Sequence, residues 1–132
     1  MNKQILRWTG SIIAVIFVIL VMFAAETMHR AWREFKEGEA LYKKGDVPMA
    51  ILYYGTVISF YTPYSPWVNK AINRLFEIGK KQEEEKDYKT SKEAYDEIIH
   101  RIYSARSFYT PHKSAQEKAI KLRDSVEKFI KD

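Results

Sequence analysis

The chain has 132 residues, a formal net charge of +5, 46% hydrophobic residues and 30% charged residues, and this length allows one modest domain beside any targeting segment. It contains no cysteine, which excludes disulfides, thiol nucleophiles, thiolate metal sites and a lipid-bearing cysteine. A positive excess this small does not indicate a nucleic-acid-binding surface, which needs basic residues gathered on one face.

The N-terminal segment predicts a membrane span. Residues 8–25 carry no charge, residues 12–25 are unbroken apolar sequence, and Ile5 and Leu6 extend the apolar stretch toward the roughly 20 residues that cross a bilayer core. Trp8 stands where an interfacial aromatic residue is common, and Gly10 is commonplace in membrane helices. We therefore expect residues 1–27 to be an N-terminal transmembrane anchor that meets the membrane through residues 8–25.

A cleaved signal peptide is the competing interpretation of this segment. Its apolar region is normally only about 7–15 residues long and is followed by small residues at the cleavage site. Here the apolar run is longer, and bulky Met22 or Phe23 occupies a position that requires a small residue. These two features favour an uncleaved anchor.

The orientation of the anchor rests on weaker signals. Lys3 and Arg7 precede the span, and Arg30, Arg33 and Lys36 follow it, so the rule that basic residues stay in the cytoplasm is nearly balanced. A short tail before a single span usually stays in the cytoplasm. We expect a single-pass protein of the bacterial inner membrane with its C-terminal domain in the periplasm.

Residues 28–132 predict an α-helical domain, because apolar residues recur there at steps of three and four and no strand pattern competes. Apart from Gly38, nothing breaks a helix between the anchor and Lys44, so one continuous rod is expected. Gly45 is suited to the left-handed end of that helix, Asp46 to the N-cap of the next, and Pro48 to its first turn.

Further boundaries come from prolines and caps. The second helix is expected to end at residues 62–63 and the fourth at residues 110–111, because a residue before proline disfavours the helical region. Ser65 and Pro66 predict the start of the third helix, Asp87 the start of the fourth, and Ser114 with Glu117 a capping box for the fifth. The inward face of the fifth helix is expected to comprise Ala119, Leu122, Val126, Phe129 and Ile130.

A pentapeptide, Ser-Phe-Tyr-Thr-Pro, occurs at residues 59–63 and again at residues 107–111, which indicates an internal repeat. Upstream positions match at an offset of 41, whereas the pentapeptides match at an offset of 48. Seven residues are therefore inserted in the second copy, about two helical turns, and we expect them to lengthen the fourth helix. The positions that match at 41 are Gly38, Asp46, Tyr54 and Ile58 with Gly79, Asp87, Tyr95 and Ile99.

The unit resembles the tetratricopeptide repeat (TPR), which carries a small residue in its first helix, a Gly-Asp-like turn, a small residue and an aromatic in its second, and a closing proline. The matching residues here are Gly38, Gly45, Asp46, Ala50, Tyr54 and Pro63. The second copy departs from the pattern with Lys86 in the turn and Ser91 at the small position. The resemblance implies an all-α fold, with a transmembrane helix, two TPR-like helix-turn-helix hairpins and a C-terminal capping helix. It also implies a protein-binding scaffold without catalysis.

Aromatic residues near the two pentapeptides are the candidates for partner contact. In one interpretation they close the hairpin cores while Thr-Pro ends the helix; in the other they clasp a partner segment. Tyr64 and Trp67 have no counterparts in the second copy and are the stronger candidates, since aromatic residues are favoured at interfaces. The full set is Phe60, Tyr61, Tyr64, Trp67, Phe108 and Tyr109.

No motif indicates an enzyme. His29, His100 and His112 lack metal-ligand spacing and are interpreted as solvent or helix-surface residues. No nucleophile triad, phosphate-binding glycine loop or dinucleotide fingerprint is present. We expect no catalytic residue, metal, cofactor, small-molecule substrate or nucleic-acid partner.

Two functions fit these features. The first is a membrane-anchored TPR-like scaffold or adaptor that binds another envelope or membrane protein. The alternative is an accessory subunit built permanently into a larger inner-membrane complex, for example an energy-transducing system of TonB/Tol type. Two repeats are fewer than the roughly three usually needed for independent stability, and Gly10 and Ser11 would let the span approach another closely.

Overall fold

A computed structural model describes residues 2–106 and 110–131, and within those ranges the protein is all α-helical, with no strand. The five helices are α1 (Lys3–Lys43), α2 (Val47–Ser59), α3 (Pro66–Glu84), α4 (Tyr88–Ala105) and α5 (Lys113–Ile130). The expected all-α class is thereby confirmed for the described part of the chain.

Helix α1 is one continuous rod of 41 residues, roughly 60 Å long at 1.5 Å per residue. Its N-terminal half packs against nothing in the described chain, and large apolar side chains there, such as Ile12 and Phe23, are more than half exposed. The helix is long and apolar enough to cross a membrane. Its buried residues, Ala31, Phe35 and Gly38, all lie in the C-terminal half.

Successive helices run back along one another. Gly38 meets Tyr54 near the α1–α2 turn, and Phe23 shares a cavity with Phe60 much further from that turn, so α2 is antiparallel to α1. Tyr88 at the start of α4 stacks on Phe129 at the end of α5, which gives the same relation for that pair. The α2–α3 connection, the end of α4 and the start of α5 therefore lie at the end of the domain nearest the apolar half of α1.

The two turns at the opposite end have the same construction. Gly45 has φ 85° and Lys86, 41 residues later, has φ 62°. Asp46 then accepts a hydrogen bond from the Met49 amide at 3.3 Å, and Asp87 accepts one from the Thr90 amide at 3.2 Å. The predicted glycine end, aspartate caps and first-turn proline are confirmed.

One hydrophobic core joins all five helices. Its centre consists of fully buried Tyr54, Leu75 and Ile98, and α2 contacts α1, α3 and α4. Trp32 lies outside this core: it is partly exposed and packs on His29 with ring centroids 5.4 Å apart. The remaining core positions are Ala31, Phe35, Ala50, Ile51, Val57, Ile58, Val68, Ala71, Ile72, Ile78, Ala94, Ile99, Ile102 and Ala119.

Two predicted helix ends come earlier in the structure. Helix α2 ends at Ser59, because the Phe60 amide closes a tight last turn on the Val57 carbonyl at 3.1 Å. Helix α4 ends at Ala105 and has 18 residues against 13 in α2. The insertion thus lengthens α4, as expected, but by less than two turns, and the rest of it falls in the connection to α5.

The capping box predicted at Ser114 and Glu117 is wrong. Helix α5 begins at Lys113, and its N-cap is His112, whose φ of 55° is left-handed and whose side chain makes no capping bond. Ser114 lies inside the helix and therefore cannot cap it. Ser65 does cap α3 by position, with Pro66 at N1, but its side chain makes no cap bond and its Oγ is buried without a hydrogen-bond partner among the described residues.

Candidate protein-interaction groove

A groove of about 640 Å³ lies between α3, α4 and α5. It is lined by the second half of α3, the first half of α4 and most of α5, so it lies toward the end of the domain away from the apolar half of α1. The lining residues are Phe76, Glu77, Lys80, Glu83, Glu84, Tyr88, Tyr95, Lys118, Leu122 and Phe129.

The floor of the groove is built on Tyr95. This side chain is buried over Gly79, and its ring centroid lies 6.3 Å from that of Phe76. Its hydroxyl donates to Glu83 Oε2 at 3.0 Å. Burial raises the pKa of Tyr95, and the hydrogen bond to Glu83 raises it further, so the phenol remains a protonated donor across the physiological pH range.

Ser91, one helical turn before Tyr95 on α4, explains one departure from the repeat pattern. Ser91, which replaces the small alanine of the first copy, is fully buried. Its Oγ donates to the Gly79 carbonyl at 2.7 Å. Because the hydroxyl has a partner, the serine is buried without an unsatisfied polar group, and α3 and α4 remain in close contact.

The outer wall of the groove is aromatic and open to solvent. Phe129 is 58% exposed and stacks on Tyr88 with centroids 4.7 Å apart and an interplanar angle of 15°. The sequence predicted Phe129 and Ile130 on the docked face of α5, but only Ala119 and Val126 of that helix are buried. Helix α5 packs mainly on α4, and the groove separates its C-terminal half from α3.

Charges of both signs line the rim. Lys118 Nζ lies 4.5 Å from the Phe76 ring centroid, a cation–π contact. Lys80 supplies a second positive charge, and Glu77 and Glu84 supply negative ones beside Glu83. An apolar, aromatic floor with a polar rim of mixed charge is the composition of a protein-binding surface.

The equivalent position in the first copy is closed by an ion pair. The Tyr54 hydroxyl donates to Glu39 Oε1 at 2.7 Å, and Arg74 binds both carboxylate oxygens of Glu39, at 2.6 and 3.0 Å. Burial alone would raise the Glu39 pKa, but the hydrogen bonds from Tyr54 and Arg74 hold it below its usual value. At the offset of 41, Lys80 stands in place of Glu39, and at the later offset of 48, Leu122 stands in place of Arg74, so the second copy lacks this closure.

None of the partner-contact residues predicted from the sequence and described in the structure lines this groove. Trp67 is half-buried, with its ring centroid 5.6 Å from that of Phe35 and Lys70 Nζ 4.6 Å away. Phe60 and Tyr61 are half-buried against the core. Tyr64 is fully exposed. Phe108 and Tyr109 lie outside the described residues.

The sequence did contain a signal for the groove. The apolar stripe of α5 continues to Phe129 at its last turn, and Tyr88 opens α4 with an aromatic residue. Periodicity predicts Phe129 on the inward face of its helix, because it shows which residues share a helix face but does not show where a neighbouring helix stops covering it.

Within residues 2–106 and 110–131, no group of three or more histidine, aspartate or glutamate side chains is placed to hold a metal ion. His112 is half-buried rather than on the surface; its ring centroid lies 5.8 Å from that of Tyr61, and burial lowers its pKa. No protein-family model, curated protein or solved structure matches the chain.

Proposed function

We propose that this protein is a membrane-anchored TPR-like scaffold or adaptor that binds a protein partner at the cell envelope, with the α3/α4/α5 groove as its binding site. The observation that carries the proposal is the stack of exposed Phe129 on half-buried Tyr88 at the edge of the groove. A soluble domain normally buries such a pair, and exposed aromatic residues next to an apolar floor are typical of interaction sites.

The TPR-like arrangement is supported by contacts that recur 41 residues apart. Tyr54 packs over Gly38 as Tyr95 packs over Gly79, and the left-handed turns at Gly45 and Lys86 correspond. Two close helix–helix contacts and two turns with equal spacing are the expected product of a duplicated helix-turn-helix unit. The apolar half of α1, which is unburied in the described chain, supports a membrane anchor; a bacterial inner membrane remains part of the proposal.

The chemistry of the groove favours a protein segment as its ligand. An amphipathic helix can lay an apolar face on Phe76, Leu122 and Phe129. Its flanking charges of either sign would meet Lys118 and Lys80 or Glu77 and Glu84 at the rim.

A photo-crosslinking residue at position 129 of the full chain, introduced in native membranes, tests the proposal. We expect a discrete protein adduct from position 129 and none from Met49, which is 40% exposed on α2 outside the groove and serves as the matched control. Tyr88→Ala should reduce the adduct at least about tenfold, because truncation of an interface anchor typically costs 1–2 kcal/mol or more. Equal labelling at positions 129 and 49 would contradict the groove as the binding site.

The alternative function, an accessory subunit of a larger membrane complex, is favoured by one feature of the span. The Thr9 and Ser11 hydroxyls donate to carbonyls of their own helix at 2.8 and 3.0 Å, and Gly10 has no neighbour within 4 Å. This small-residue surface is open to another span. Extraction in mild detergent separates the two functions: an adaptor is recovered as a monomer after moderate salt, whereas a subunit stays in an assembly that Gly10→Leu disrupts.

A further inference from the structure

The connection between α2 and α3 lies beside the point where the apolar half of α1 ends. A cavity of about 320 Å³ separates the two segments, with Phe23 on the α1 side and Phe60 on the other. The remaining lining residues are Glu26, Thr27, Arg30, Ser59 and Tyr61. The cavity is therefore apolar toward the span and polar toward the domain.

Helix geometry gives the depth of this connection in a bilayer. If the hydrocarbon core ends at Ala25, Phe23 lies about 3 Å inside it and Arg30 about 8 Å outside it, at 1.5 Å per residue. Each headgroup layer is about 5–8 Å thick. Residues 59–61, which share a cavity with residues 23–30, are therefore at headgroup depth.

No contact within the described fold explains the exposed side chain and left-handed backbone of Tyr64 in this connection. Its side chain is fully exposed, and its φ of 66° is left-handed, a conformation that costs an L-residue energy and that glycine would adopt freely. A large aromatic residue held there without a covering neighbour points to a contact outside the domain. Tyrosine and tryptophan are enriched at membrane–water interfaces, where the ring meets apolar chains and the polar tip meets water.

The charges at this end of the domain suit the same environment. Lys113, next to His112 and its contact with Tyr61, has a side chain that is 72% exposed, with its Nζ 4.0 Å from Glu117 Oε1. Arg106 and Arg33 are also exposed. Glu26 is neutralised by Arg30 at 2.7 Å. Exposed basic residues within a few ångströms of a membrane surface attract anionic headgroups.

From this placement we propose that residues 60–64 rest in the lipid headgroup layer, with Tyr64 inserted, as a second membrane contact beside the span. The partner is the phospholipid surface itself. This contact holds the helical domain upright on the bilayer, and the inference is independent of whether the groove binds a protein. It places the α3 residues of the groove, 76–84, roughly 15–27 Å along α3 from the membrane-facing end at Pro66.

The absence of cysteine permits single-site labelling of the full chain. Tyr64→Cys is labelled with an environment-sensitive fluorophore and reconstituted into vesicles of phosphatidylcholine and phosphatidylglycerol that contain a headgroup spin-labelled lipid as quencher. Glu26→Cys, one residue past the span, is the positive control. Lys44→Cys at the end of α1, about 27 Å further along the helix axis, is the negative control.

We expect the label at position 64 to be quenched nearly as strongly as at position 26 and several-fold more than at position 44. Quenching at position 26 but not at position 64, or at neither position, overturns the proposal. A label at 64 that is shielded only by a bound protein and never quenched by lipid also overturns it. Because the Tyr64 side chain is fully exposed, its replacement should leave the thermal unfolding of the domain unchanged, which is checked by circular dichroism.

Discussion

At the residue scale, two glycines determine how closely neighbouring helices approach. A Cβ on Gly38 would lie 2.9 Å from Tyr54 Cε1, and a Cβ on Gly79 would lie 2.6 Å from Tyr95 Cζ. Both distances are below van der Waals contact. Tyr95 has the less room to move, because its hydroxyl is held by Glu83 and its ring forms the floor of the groove.

Gly79→Ala should therefore lower the free energy of unfolding by about 1–3 kcal/mol, the usual cost of overpacking a core. This loss should outweigh the gain of about 1 kcal/mol that alanine brings to a helix. Gly38→Ala should be less destabilising. The measurement is denaturant unfolding of the full chain in detergent, followed by circular dichroism.

Gly10→Ala is the control for this pair, because no atom lies within 4 Å of a Cβ placed at Gly10. Its unfolding midpoint should match that of the wild type. A Gly79→Ala variant as stable as the wild type would show that the close packing of α3 on α4 does not depend on the missing side chain.

At the element scale, the two turns are the same structure made with different residues. Gly45 adopts φ 85° without strain, whereas Lys86 adopts φ 62° at a cost. A left-handed conformation costs an L-residue about 1–2 kcal/mol. Glycine avoids this cost, but its greater conformational freedom in the unfolded chain cancels part of the gain in stability.

Substitutions in the two turns should consequently have opposite signs. Lys86→Gly should raise the free energy of unfolding by up to about 1 kcal/mol, and Gly45→Ala should lower it by a similar amount. Thermal unfolding of both variants beside the wild type is the measurement. If both changes destabilise the protein, then the Lys86 side chain makes a compensating interaction.

The helix boundaries show which structural features local sequence predicts and which it does not. Local sequence correctly predicted the helix ends and starts at Gly45, Asp46, Pro66 and Asp87, because a cap or a fixed φ acts within three or four residues. Ser114 failed as a cap, since the chain reaches α5 through a left-handed His112 whose ring packs against Tyr61, about 50 residues away in the sequence. A contact that distant has no local signature.

At the scale of the whole molecule, the two halves of α1 differ in burial. Its C-terminal half supplies Ala31, Phe35 and Gly38 to the core, and no described residue before Ala31 is buried. The stability of the helical domain should therefore not depend on the apolar half.

A fragment of residues 28–132 should accordingly retain the helical content of the domain and unfold cooperatively in aqueous buffer without detergent. Circular dichroism and sedimentation measure both properties, with the full chain in detergent as the reference. A fragment that is largely unstructured, or that gains helicity only when a partner is added, would favour the permanent-subunit alternative over the adaptor.

The sequence by itself determined the helical class, the apolar span, the continuity of α1 and the duplicated turns. These features follow from composition, a period of 3.6 residues and caps, all of which act over a few residues. Only the tertiary structure decided that Phe129 and Tyr88 form an open groove instead of core, and that the Tyr64 connection lies beside the end of the span. Both depend on which helices cover one another, and that is decided by contacts between residues far apart in the chain.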